Sequence, residues 1–114
     1  MTAGTPPGDN ALCEAAGVTE GIPQRCDLPG ASFIVLRDGG ELRVYANRCP
    51  HRGTELDWIP GRFLDASGRY LQCATHGALF RPGTGECIAG PCRGRTLQTL
   101  AHAVYDGWVA LRPD

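Results

Sequence analysis

The chain has 114 residues, 42% of them hydrophobic, and a formal net charge of −1. That length supports one compact domain with a modest core. The near-neutral charge, with no Lys/Arg stripe, argues against a nucleic-acid partner, and no apolar run approaches the roughly 18 residues a membrane span needs.

Residues 1–10 are polar, contain Gly and Pro, and have no hydrophobic signal region. A flexible tail over 1–10, a single domain over 11–112 and a cytoplasmic setting are expected. Asn10 to Ala16 is the one stretch that could manage a helical turn or two. Ser32 to Leu36 is a short apolar run, then Asp38-Gly39-Gly40 precedes Glu41 to Ala46, where Leu42, Val44 and Ala46 alternate with polar or aromatic neighbours. Two such runs about a Gly-rich turn read as a β-hairpin. Tyr70 to Gln72 and Ala78 to Phe80 are short strand candidates. Leu97 to Tyr105 and Trp108 to Leu111 flank Asp106-Gly107, a pair favoured in tight type I′ turns. With 16 glycines and 9 prolines as punctuation, the fold class is all-β.

Two cassettes stand out against this frame: Cys49-Pro50-His51 and Cys73-Ala74-Thr75-His76. Each pairs a thiol with an imidazole, and together they hold two of the three histidines in the chain. The first follows a strand ending near Asn47; the second sits at the tip of a loop between strands. In an extended Cys-x-His segment the two side chains project to one side, with Cα atoms roughly 6.5 Å apart at ~3.3 Å per residue. One small ion would accept both only with strain, whereas two bridged metals could take one ligand each. Zinc also accepts two Cys and two His, but zinc motifs usually space their first pair by two to four residues. Six cysteines could also mark a secreted disulfide scaffold; the missing signal region and the Cys/His cassettes speak against it. Cys13 and Cys26 read as small buried hydrophobes. Cys87 and Cys92 lie five residues apart and could bridge locally, although an intracellular setting favours free thiols. Arg52 is a candidate partner for Glu55 or Asp57, or else a solvated surface charge; Trp58 and Phe63 are expected to cover the core, with an exposed docking role the alternative for Trp58; and His102 is expected not to be a ligand.

The pattern Cys-x-His, a gap, Cys-x-x-His resembles the Rieske-type ferredoxins over about residues 11 to 112. Arg52-Gly53 after the first histidine, Gly77 after the second, Phe80 and Gly90-Pro91 extend the likeness. The gap from Arg52 to Gln72 is a few residues longer than the family's usual spacing, which suggests a longer surface connection. The resemblance implies a small antiparallel β-sandwich or barrel with a two-loop cluster-binding subdomain. It implies a [2Fe–2S] cofactor bound by Cys49 and Cys73 on one iron and His51 and His76 on the other. It further implies a one-electron carrier, not itself an enzyme, that takes electrons from a flavin or iron–sulfur reductase and passes them to a terminal oxygenase. An accessory or redox-sensing subunit and a structural zinc module are the alternatives, and a monomer is expected. High-potential relatives have a disulfide at positions matched here by Thr54 and Thr75, and serine and tyrosine hydroxyls at positions matched by Ala78 and Phe80. None is present, so a low potential is expected.

Overall fold

The computed structural model describes residues 8–50 and 53–112. His51, Arg52 and residues 1–7 of the expected tail lie outside them, while Gly8, Asp9 and Asn10 are exposed. Among the described residues, nine short strands form three antiparallel three-stranded sheets: β1-β9-β8, β2-β3-β4 and β5-β6-β7. In chain order they are β1 (Ala11–Glu14), β2 (Gln24–Leu28), β3 (Ala31–Asp38), β4 (Glu41–Ala46), β5 (Leu71–Gln72), β6 (Leu79–Phe80), β7 (Cys87–Ala89), β8 (His102–Tyr105) and β9 (Trp108–Leu111).

The β2-β3-β4 sheet lies between two cores, and the sequence of β3 explains why. Phe33, Ile34, Val35 and Leu36 are all buried. Successive residues point to opposite faces, so a continuous apolar run needs cover on both sides. Phe33 and Val35 join Val44, Cys26 and Val109 in one core. Ile34 and Leu36 join Tyr45, Leu56, Leu71, Phe80 and the cysteines 49, 73, 87 and 92 in the other. The second core floors the candidate site.

Both expected hairpins form. Asp38 pairs with Glu41 across Gly39 and Gly40, whose φ values are 62° and 83°. Tyr105 pairs with Trp108 across Asp106 and Gly107 at 49° and 83°. Both turns have the two positive φ angles of the type I′ form.

Two expectations are corrected. Residues 11–14 of the stretch from Asn10 to Ala16 form strand β1, paired with β9, and only Ala15–Gly17 makes a single 3₁₀ turn. Edge pairing with β9 overrides a helical preference that was weak from the start. Leu97 to Tyr105 is not one strand, since β8 begins at His102. Upstream of it the chain bonds elsewhere: Leu97 N–H to Gly85 O, Ala46 N–H to Gln98 O, and Leu100 N–H to Val44 O. This segment stitches the second core to β4.

Candidate metal centre

Both candidate ligand loops are built on the same turn. Cys49 N–H donates to Thr54 O at 2.7 Å, and Gly53 N–H donates back to Cys49 O at 2.7 Å. Cys73 N–H donates to Ala78 O at 2.9 Å, and Gly77 N–H returns to Cys73 O at 2.8 Å. Each turn thus needs a residue with positive φ four positions after its cysteine, and Gly53 and Gly77 adopt 74° and 70°. The shared Cys-x-x-x-Gly frame was readable in the sequence as two glycines at equal offset. Arg81 to Glu86 repeats the turn without ligands, with Gly85 at 77°. There a Cβ would come within 2.9 Å of the Tyr45 ring.

The turns bring the two thiols together at the base of the site. Cys49 is 3% exposed and Cys73 0%, whereas His76, at the tip of its loop, is exposed. Burial pushes the Cys73 thiol up, and contact with Cys49 adds to this. Backbone N–H groups of Thr75 and His76 act in the opposite direction by donating to the Cys73 sulfur, which favours its anionic form. Among the described residues no group of three or more His, Cys, Asp or Glu assembles for one metal ion. What assembles is a pair of thiols with an imidazole at the rim on the same loop. That set fits a two-iron cluster with a dry sulfur side and a wet nitrogen side. His51, the fourth expected ligand, is outside the described residues.

A buried polar network fixes the approach to the first loop. Asn47, at the end of β4, is 1% exposed. Its Nδ2 donates to Asp57 Oδ1 at 2.9 Å and to Ser32 Oγ at 3.1 Å, and its Oδ1 accepts from Leu56 N–H at 2.9 Å. Asp57 also accepts from Arg25 Nη1 and Gly61 N–H, each at 2.9 Å. Burial pushes the Asp57 carboxyl up, but the bonds from Asn47, Gly61 and Arg25 outweigh this and hold it below the usual carboxylate range. Ala74 N–H donates to Leu56 O at 2.9 Å, which ties the same segment to the second ligand loop. The expected partners of Arg52 are therefore engaged by Arg25, which also reaches Glu55 at 3.0 Å. Sequence reasoning missed Asn47 and Arg25, because a buried Asn two residues before a cysteine has no periodic signature.

The same network explains why Trp58 is not core. Phe63 is buried as expected, but Trp58 is 73% exposed. With Asp57 pointing inward, bonded to Asn47, Arg25 and Gly61, the chain turns Trp58 and Ile59 outward. A third loop packs against both candidate ligand loops. Gly90 lies so close to Ala78 that a Cβ would meet its Cα at 2.8 Å, and Arg95 Nη1 donates to Pro50 O at 3.0 Å. Cys92 Sγ sits 2.9 Å from Cys87 Sγ, and both are free thiols. Burial first, then contact with Cys87 and Cys49, pushes the Cys92 thiol up to about 12. On the far core, the hydrogen bond to Cys13, with burial, pushes the Cys26 thiol up; Cys26 is buried and Cys13 half-buried. His102 begins strand β8, outside both cassettes, and its Nδ1 lies 3.0 Å from Leu100 O.

Comparison with known proteins agrees with this geometry. The model of the Rieske [2Fe-2S] domain matches residues 9–104. The fold is similar to that of the Sphingomonas yanoikuyae B1 ferredoxin, with a TM-score of 0.68 and 26% identity over 94% of this chain and 100% of that one. It is also similar to the ferredoxin of carbazole 1,9a-dioxygenase from Nocardioides aromaticivorans IC177, with a TM-score of 0.66 and 23% identity over 91% of this chain and 96% of that one. Oxidoreductase NdmD of Pseudomonas putida is 37% identical over 79 residues, 64% of this chain, which spans only 12% of that protein's length. With matched turns, paired thiols and a family match over most of its length, the chain belongs to the Rieske [2Fe–2S] domain family and has the cluster chemistry that the family implies.

Proposed function

We propose that this protein is a one-electron carrier that takes electrons from a flavin or iron–sulfur reductase and delivers them to a terminal oxygenase. The observation that supports it most is the polarity of the site: two touching, buried thiols below and an exposed His76 above. In this reading Cys49 and Cys73 hold one iron, His51 and His76 the other, and 11–112 is the functional domain. The cluster supplies one-electron redox chemistry within a range of about −150 to +300 mV. The protein's own part is to seal the thiols from water, to donate Thr75 and His76 N–H groups to the Cys73 sulfur, and to bring an imidazole edge to the surface. Those N–H donors favour the more negative, reduced state.

The oxygenase partner is supported by structural likeness to carbazole 1,9a-dioxygenase oxygenase–ferredoxin complexes, with a TM-score of 0.66 at 22% identity. Full coverage of the Sphingomonas ferredoxin favours a carrier over an accessory or sensing subunit. A monomer in the cytoplasm completes the reading. EPR of the reduced protein, followed by stopped-flow mixing with a flavoprotein reductase and a Rieske oxygenase, tests it. The expected result is a mixed His/Cys signal with rapid reduction and reoxidation. A signal with all-Cys g values, or a reduced protein that no oxygenase reoxidises, overturns it.

A further inference from the structure

Outside the ligand set, Cys87 and Cys92 form the closest pair of reactive side chains in the second core. Their Sγ atoms are 2.9 Å apart, against about 2.05 Å for a bonded pair. The turn that holds them is already closed by backbone: Cys87 N–H donates to Arg95 O at 2.8 Å, Gly94 N–H to Cys87 O at 3.3 Å, and Arg95 N–H to Cys92 O at 2.8 Å. The two sulfurs stand about 0.9 Å beyond bonding distance. The turn also carries Gly90, pressed on Ala78, and Arg95, bonded to Pro50 O, so it touches both ligand loops.

We propose that Cys87 and Cys92 are a dithiol–disulfide latch that locks the third loop over the site. Closing it breaks two S–H bonds and makes one Sγ–Sγ bond. Two protons and two electrons pass to a low-molecular-weight disulfide, whose own S–S bond is cleaved to two thiols through a mixed-disulfide intermediate. Both sulfurs are buried, so exchange waits on opening of the 87–95 turn; the latch is slow and keeps the state in which it was set. Cys92 also lies against Cys49.

The test equilibrates the purified, cluster-loaded protein anaerobically in buffers of increasing oxidised-to-reduced glutathione ratio, long enough for spectra and thiol counts to stop changing. Acid quench, unfolding, alkylation and peptide mass mapping follow. Cys87 and Cys92 should lose alkylation together, in a peptide lighter by two hydrogens, while visible absorbance persists. Full alkylation of both at every ratio, glutathione adducts without the internal bond, or a bond to Cys49 or Cys73 overturns the latch. The cross-link is scored whatever the absorbance, so its failure is distinct from failure of the carrier reading.

Discussion

Asn47 and Asp57 meet in a 2.9 Å hydrogen bond that joins the end of β4 to the long connection between the ligand loops. One side chain satisfies Ser32, Leu56 and Asp57 at once, and Leu56 in turn holds Ala74. Asn47→Ala strands the Leu56 N–H and removes one partner from a buried carboxylate. A loss of roughly 2–4 kcal/mol is expected from such unsatisfied groups. Denaturant unfolding checks it: the midpoint should fall with its slope unchanged. A loss below about 1 kcal/mol would show that water replaces the network.

Asp57 makes stability depend on acid. Its folded pKa is depressed, so its contribution is complete above the ordinary value of about 3.9 and is lost as pH falls through the lower folded value. Thermal unfolding followed from pH 7 down to pH 3 should drop more steeply for the wild type than for Asp57→Asn below about pH 4. Parallel curves would assign the acid sensitivity to other carboxylates.

Gly90 answers to sterics. Its φ is +98°, and an added Cβ would stand 2.8 Å from Ala78 Cα and 3.1 Å from its Cβ. Gly90→Ala therefore has to push the third loop off the second ligand loop, at a cost of about 1–3 kcal/mol. Faster bleaching of the visible chromophore on exposure to a chelator is the second expected sign. Gly94→Ala, with nothing within 4 Å, is the matched control for positive φ alone.

Ala78 and Phe80 carry no hydroxyl, and both are buried in the core that holds Cys49 and Cys73. The wild-type midpoint should lie below zero at neutral pH. Phe80→Tyr adds a donor, and each 1.4 kcal/mol by which it favours the reduced state raises a one-electron midpoint by about 59 mV. Potentiometry decides. A wild-type midpoint well above zero would mean that backbone donors alone suffice.

How legible was this molecule? Turn chemistry was, because Gly39-Gly40 and Asp106-Gly107 permit few alternatives. The apolar run of β3 was legible as one strand of a hairpin, though its two-sided cover was not. β2 and β7 went unread because Arg25 to Leu28 alternates over only four residues and Cys87 to Ala89 is three residues long, and both take their order from neighbours across the sheet. The cassettes named their own chemistry, since few arrangements repeat Cys and His with glycine at a fixed offset. Trp58 misled: large aromatic residues are usually covered, and only the inward turn of its neighbour Asp57 shows why this one is not.

The one-sided exposure of the site has a further bearing on how electrons are passed. On the carrier reading proposed above, with the thiols sealed below and His76 at the rim, donor and acceptor would share one berth. They would have to visit in turn, and a large excess of either would slow the relay by occupying it.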